Sequence, residues 1–384
     1  MPAPDDDALL RLIAAGGPVA PRRTLLAAFG SAETALQAGT SAWREAGLDA
    51  VQARALRKPD VEQDDQIARG RHWLIEAGHR LIGWHDADYP ALLRRIASPP
   101  LVLFVAGNAE LLWHPGIAIV GSRSPTVGGR DNARHFARAF ARAGFGVTSG
   151  LAAGIDTAAH EGALDIGGLT VAVLGTGPDV PYPRGNAGLL QRILANGGAV
   201  VSEHPPGTPP RPGNFPSRNR ILAGLALGTL VVEAAQRSGA LITARLAAEG
   251  GREVFALPGS IHNPLSRGCH RLIRDGAGLV ERPDEVIAAL GPVAAELADA
   301  LRSRLRPPPS DPSAPDRPSA PVSAADTVDH QRLWAALGHD PSPMDALAER
   351  SGLTVAELSS MLLVMELEGR VAVEHGRYSR RGPA

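Results

Sequence analysis

The chain has one cysteine and one lysine among its 384 residues. With only Cys269, no disulfide can form within the chain, which fits a reducing compartment. Lys58 is the single lysine among 39 basic residues and lies in RALRKPD, away from any glycine loop. A P-loop needs Gly-x-x-x-x-Gly-Lys-Ser/Thr around a phosphate, and a Schiff-base enzyme needs a buried lysine. Neither can be supplied. The uncharged run Ile221–Val232 is shorter than the ~20 residues that a membrane helix requires. The acidic start, MPAPDDDALL, lacks the basic-then-apolar pattern of a signal peptide, so the expectation is a soluble cytoplasmic protein with no membrane partner. A net charge of −1 excludes a globally basic nucleic-acid binder but leaves room for a basic patch. Neither Gly-x-Ser-x-Gly nor His-Glu-x-x-His occurs, and Cys269-His270 alone cannot make a zinc site of about four ligands. No catalytic residue, metal or cofactor is expected.

The chain is too long for one ordinary core, so two or three domains are expected. Residues 1–85 read as a small helical domain, with apolar residues at three- and four-residue spacing in Ala8–Ala15, Arg22–Phe29, Ala32–Gln37, Ala50–Leu56 and Asp65–Ala77, separated by glycine stops. Two roles fit it: a helix-hairpin-helix-like DNA contact, or a docking cap. Residues 86–300 alternate short β-rich runs with helices, the signature of an α/β, Rossmann-like doubly wound parallel sheet. Its strands are expected at Ile117–Val120, Gly146–Ser149, Thr170–Leu174, Ala199–Ser202, Leu230–Val232 and Val254–Ala256, and helices include Gly188–Asn196, Asn219–Leu225 and Ala240–Glu249. Residues 301–326 are rich in proline and serine and read as a linker. Residues 327–384 read as a winged helix: helices at Gln331–Leu337, Met344–Arg350 and Val355–Glu368, then a hairpin around His375-Gly376. Its third helix carries three glutamates and no basic residue before Arg370, a poor surface for reading DNA.

The stretch Ile117–His160 states strand, glycine loop and helix twice, and ligands of open parallel sheets bind where such loops leave the strands. Gly121-Ser122-Arg123 follows the first strand and precedes a helix, so backbone N–H groups there can face an anion. The dinucleotide fingerprint Gly-x-Gly-x-x-Gly is absent from this loop, and the second strand ends in Thr148-Ser149 rather than an acid for a ribose hydroxyl. Between Asp179 and Glu233 the only acid is Glu203, against Arg184, Arg192, Arg211, Arg218 and Arg220. The proline-rich loop PPGTPPRPGNFPSRNR adds one ring, Phe215, and a basic groove with a stacking ring suits single-stranded nucleic acid. A surface loop with an inward-packed phenylalanine is the plainer reading. Asp156 and His160, four apart, are candidates for an acid–imidazole pair or a helix cap. Glu233 is expected to pair with Arg218 or Arg220 and order the loop.

IAIVGSRSPTVGGR, TSGLAAGIDTAAHEGAL, TVAVLGTGPDVPYPRGN, SEHPPGTPPRPGNFPSRNRILAGL, VVEAAQRSGALITARLAAEGGREVFALPGS and SRGCHRLIRDGA together resemble the DNA-processing protein A (DprA/Smf) family over roughly Ile117–Val280. The resemblance implies an extended Rossmann core that binds single-stranded DNA without sequence preference or ATP, dimerises, and loads the RecA recombinase during natural transformation. It implies DNA contact at Gly121, Ser122 and Arg123, at Ser149 and Gly150, at Arg184 and Asn186 of YPRGN, at Phe215, Arg218, Asn219 and Arg220 of FPSRNR, and at Ser238 and Gly239 of SGALITA. Ala153 departs, standing where the family commonly has a basic residue. Residues 261–280 resemble the self-association region. The rival reading is a nucleotide-processing Rossmann enzyme of the lysine-decarboxylase-like or cytokinin-activating type, whose PGGxGTxxE signature is replaced here by VVEAAQRSGALITA. A double-strand-specific regulator acting through the winged helix is a third.

Overall fold

The computed structural model describes residues 3–305, 332–337, 342–353, 358, 362, 371–374 and 377–380. The chain divides into two units, 1–307 and 308–384.

Six helices open the first unit: α1 (Pro4–Ala14), α2 (Val19–Phe29), α3 (Ala32–Gln37), α4 (Gly39–Glu45), α5 (Ala50–Arg57) and α6 (Val61–Trp73). They do not form a separate core. Leu9, Leu12, Leu25, Leu56 and Trp73 are buried in one cluster with Phe104, Leu174, Ile193 and Val200 of the sheet layer, so the helices dock on one face of the sheet. At about 25 cal/mol per Å² of apolar surface, this shared burial is what holds the helices in place. In the turn between α4 and α5 the amides of residues 46–49 are engaged within the protein. Gly47 N–H donates to the Arg44 carbonyl (2.9 Å) and Leu48 N–H to the Trp43 carbonyl (3.0 Å). Asp49 and Gln52 cap the start of α5 reciprocally.

The stretch His79–Gly83, expected within the helical region, is a strand (β1) that pairs antiparallel with β2 (Val102–Gly107). Helical periodicity ends at Trp73, and Leu81, Ile82 and Gly83 turn buried faces to the sheet. The short α7 (Ala91–Arg94) lies between them. Then follow β3 (Gly116–Val120), α8 (Val127–Arg142), β4 (Gly146–Ser149), α9 (Ile155–Leu164), β5 (Thr170–Leu174), α10 (Ala187–Ala195), β6 (Ala199–Ser202), α11 (Asn214–Leu225), β7 (Gly228–Val231), α12 (Gly239–Glu249), β8 (Glu253–Ala256), α13 (Arg267–Arg274), β9 (Gly278–Leu279) and α14 (Pro283–Leu305). The sheet has nine strands in the order β1-β2-β6-β5-β4-β3-β7-β8-β9. From β6 to β9 all neighbours are parallel, while β1 and β2 are antiparallel additions at one edge. Strand order reverses between β3 and β7, the topological switch where the loops diverge and leave a crevice. This is the α/β, doubly wound arrangement expected from the alternation of elements.

Among the element bounds that shift by a few residues, one bears on the site and one on the domain boundary. The helix expected from Asn219 begins at Asn214, which brings Phe215 out of the proline-rich loop and into a first helical turn. Pro216 is tolerated there because the amides of a first turn have no intrahelical partner. Residues expected to open the linker, 301–305, instead end α14; residues 306–326 lie outside the described residues.

In the second unit, Met344–Ser351 is helical, and Ser342–Pro343 and Val371–Glu374 both pair antiparallel with Arg377–Arg380. Leu333, Leu337, Leu347, Leu358, Leu362 and Val371 form its core. This is the β-ribbon of a winged helix; most of the expected third helix, 355–368, and the turn His375-Gly376 lie outside the described residues.

Candidate nucleic-acid interface

A groove of about 580 Å³ opens at the switch point, lined by Gly121, Ser122, Arg123, Asp156, Phe215, Arg218, Asn219, Arg237, Ser238 and Gly239 among others. The Gly121–Arg123 turn leaves β3 and is pinned from below: Ile155 N–H donates to the Ser122 carbonyl (3.1 Å). That approach requires Gly154, whose φ is +85° and where a β-carbon would lie 2.4 Å from the Ser122 carbonyl oxygen.

The backbone amides that follow β3 and β4 are met by the protein's own carboxylates, at the start of α8 and in the loop before α9. Glu233, buried at the end of β7, accepts hydrogen bonds from Thr126 N–H (2.9 Å) and the Thr126 hydroxyl (2.6 Å) at the start of α8. Asn263 Nδ2 approaches the same carboxylate at 3.4 Å. The expected pairing of Glu233 with Arg218 or Arg220 is not formed, because the carboxylate faces α8 and not α11. At the second loop, Asp156 accepts from Gly150 N–H (3.1 Å) and Ala152 N–H (3.3 Å). Burial pushes the Asp156 carboxyl above its ordinary range, and the Arg218 charge pulls the other way. Asp156 and His160 therefore do not pair. His160 Nδ1 lies 2.7 Å from the Thr170 hydroxyl, which itself donates to the Val147 carbonyl, so the imidazole is the donor. Burial, then Arg218, depresses it to about 3, and a buried neutral imidazole is a packing element.

The arginines of the FPSRNR stretch face inward. Arg218 is 4% exposed, lies beneath Gly150, and donates through Nη1 to the Val173 carbonyl. Burial lowers its pKa to about 10. A β-carbon at Gly150 would lie 2.0 Å from Arg218 Nη1, so the loop needs glycine for this close approach. Arg220 is ion-paired with Glu203, both largely buried. Asn219 Nδ2 donates to the Gly239 carbonyl (3.3 Å), tying α11 to the start of α12, where Ser238 Oγ accepts from Ala240 N–H (3.2 Å).

Phe215 is half-buried, its ring centroid 5.2 Å from that of Tyr182 and 5.8 Å from the guanidinium carbon of Arg123. Arg123 is exposed, and among the described residues neither it nor Arg184, Arg211 or Arg237 has a carboxylate within ion-pair distance. A smaller pocket of about 110 Å³ adjoins, lined by Gly150, Ala152, Ala153, Tyr182, Pro183 and Phe215 together with the two arginines, Arg123 and Arg218.

Of the residues named from the sequence, Gly121, Ser122, Arg123, Phe215, Arg218, Asn219, Ser238 and Gly239 line the groove, and Gly150 lines the adjoining pocket. Ser149 is buried, its hydroxyl spent on the Ile119 carbonyl (2.7 Å). Asn186 donates to the Leu151 carbonyl (2.8 Å) and the Thr157 hydroxyl (2.9 Å), bracing Leu151, whose φ of +56° is left-handed. Arg184 and Arg220 do not line the groove. Arg237 and Tyr182 were missed, and Asp156, singled out for its spacing from His160, was not expected on the groove; of the two missed, Arg237 had a readable signal, a basic residue in the loop after β7.

The family model for DNA recombination-mediator protein A matches residues 80–291, and that for the DprA winged helix domain matches residues 306–377. The chain belongs to the DNA recombination-mediator protein A family. It is 42% identical to Protein Smf of Escherichia coli over 308 residues, 80% of this chain and 79% of that protein. DNA processing protein A of Streptococcus pneumoniae, solved by X-ray crystallography, superposes with a TM-score of 0.65 at 37% identity, over 74% of this chain and 97% of its own. A DNA processing protein A from Helicobacter pylori, studied for its single-stranded DNA binding mode, is 30% identical over 53% of this chain and 92% of its own, with a TM-score of 0.49.

Proposed function

We propose that the chain binds single-stranded DNA in the groove at the β3/β7 switch, without chemistry on it, and delivers the strand to a RecA-type recombinase during natural transformation. One observation carries the reading. The start of α8 is met by Glu233 and the loop amides before α9 by Asp156, which leaves little for a nucleotide phosphate there, while arginine charge outside any ion pair and a half-exposed ring remain in an open groove. Such a surface neutralises a passing backbone and offers a face to a base, needing no base-edge readout. The nucleotide-processing alternative loses its base, since both carboxylate oxygens of Glu233 are engaged by Thr126. Self-association through residues 261–280 fits the exposed Ile261 and Leu279, 74% and 52% accessible.

The test is fluorescence anisotropy with single- and double-stranded oligonucleotides of one sequence, with and without ATP. Single strands are expected to bind tighter, independently of ATP. If Arg123 and Arg237, the exposed arginines that line the groove, each neutralise one phosphate at about −0.7 per contact, the groove contributes about −1.4 to the log–log salt slope. A slope near zero, or equal affinity for duplex, overturns the reading. Sedimentation of an Ile261→Glu protein tests the dimer, and recombinase filament formation on the bound strand tests delivery.

A further inference from the structure

Beyond the first turn of α11 lies a second groove, of about 560 Å³, between the N-terminal helices and the loop that precedes α11. One wall is the face of α6 that carries Glu62, Gln66 and Arg69, at helical spacing. The other is residues 203–209 with Arg211 and Asn214. This second wall is held in shape by its own hydrogen bonds: Gly207 N–H donates to both Asp179 carboxylate oxygens (2.8 and 3.0 Å), Thr208 N–H to the Pro205 carbonyl (3.2 Å), and Gly177 N–H to the Thr208 carbonyl (2.9 Å). Arg69 is seated against it, since a β-carbon at Gly207, whose φ is +79°, would lie 3.5 Å from Arg69 Cδ and Nε.

The polar groups sort into spent and free. Arg22 gives its N–H groups to the carbonyls of Leu12 (2.8 Å) and Gly17 (2.7 Å), and Glu203 is paired with Arg220. Arg69 and Arg211 are exposed and, among the described residues, have no carboxylate within ion-pair distance. His204 Nε2 is buried without a hydrogen-bond partner. Glu62 is the one exposed acid on the rim. The two grooves meet at the start of α11: Pro212 and Phe215 line the first, Arg211 and Asn214 the second.

We propose that a single DNA strand leaving the first groove over Phe215 continues into this second groove, where Arg211 and Arg69 take further phosphates, so that the N-terminal helices form part of the DNA path. This rests on the single-strand reading above. A phosphodiester chain suits the groove better than an apolar segment because the cations Arg69 and Arg211 and the amide side chains of Gln66 and Asn214 outnumber the one exposed acid, Glu62, on a polar, preformed surface, which is how backbone tracking proceeds without base recognition.

The experiment measures full-chain protein with oligo-dT of about 6 and about 20 nucleotides, one near the lower end of the ~4–16 nucleotides usual for one single-strand site and one beyond its upper end. Arg69→Ala is expected to weaken the long oligonucleotide about 3- to 10-fold at low salt, to make its salt slope shallower by about 0.7, and to leave the short one unchanged. Arg123→Ala is expected to weaken both. Arg69→Lys restores the charge and most of the affinity. Glu62→Gln is expected to tighten the long oligonucleotide only, a gain that misfolding cannot produce. An Arg69→Ala protein that binds the long strand like wild type, or loses short and long alike, overturns the second groove while leaving the first. A wild-type protein that binds neither length overturns both.

Discussion

Two arginine-bearing stretches reach the same groove and do opposite things there. In the Gly121–Arg123 turn the side chain emerges into solvent with no carboxylate beside it; in the first turns of α11, Arg218 and Arg220 turn inward, one beneath Gly150 and one onto Glu203. The first is available to a ligand because no ion pair within the described residues engages it. The second holds the site together. Motif arginines are therefore not a uniform set of phosphate clamps, and substitutions should separate them by which property fails first.

The largest effect is expected from Arg218→Ala. Removing a fully buried cation leaves the Asp156 carboxylate without its opposing charge and the Val173 carbonyl without its donor, a loss of about 3–5 kcal/mol. Urea unfolding measures it. The deficit should also depend on pH in a set direction. The folded-state pKa of Asp156 already lies above its ordinary 3.8, and loss of Arg218 raises it further. Folding then takes up a proton, so the variant's stability is greatest below that ordinary value and falls as pH rises through the folded one. A variant with native urea midpoint and weakened binding would place Arg218 with Arg123 after all.

Glu233→Ala tests the other side of the comparison, the reason the turn at Gly121 offers a side chain and not a helix end. Thr126 loses the acceptor of its N–H and hydroxyl, costing about 1–3 kcal/mol. The start of α8 then becomes an open anion site. Inorganic phosphate should raise the Tm of this variant and leave the wild type unchanged. Equal phosphate response in both proteins would mean that the carboxylate does not fill the site.

Phe215→Ala should act on binding before stability. A stacked base is worth about 1–3 kcal/mol, and that loss should persist at high salt with the slope unchanged. The ring is half-buried near Gly175 and Tyr182, so Tm accompanies the binding curves. A fall in Tm with affinity intact would make the ring a packing residue.

How much of this could be read beforehand follows the range of the interactions. The parallel strands β3 to β8 were legible because apolar runs such as Ile117–Val120 and Thr170–Leu174 are local patterns between glycine loops, whereas the two-residue β9 was not. β1 was not, since HRLIG becomes a strand only through pairing with β2, across a long loop. Residues on the groove could be named from motif resemblance, but the direction of each side chain could not. Glu233 looked like a partner for arginine in chain order, yet β7 lies beside β3 in the sheet, which carries it to Thr126, 107 residues away. Asp156 was noticed for its spacing from His160; its partners are amides of the preceding loop, set by the left-handed turn at Leu151.

The smallest and most diagnostic effect belongs to Arg123→Ala. An exposed arginine outside any ion pair should leave Tm nearly unchanged, weaken single-strand affinity at low salt, and make the log–log slope shallower by about 0.7. Its guanidinium also sits 5.8 Å from the centre of the Phe215 ring, a cation–π contact that DNA must reorganise when a base takes the ring face. Two contributions thus oppose each other on removal: a phosphate contact is lost and the ring is uncovered. The first fades with salt and the second does not. The loss should therefore shrink as salt rises and give way to a small gain at high salt, where the Phe215→Ala loss remains whole. In a double-mutant cycle the two substitutions should couple, because a ring that is absent cannot be uncovered. Strict additivity at every salt concentration would show that Arg123 and Phe215 meet the strand independently and that their contact in the free protein has no bearing on binding.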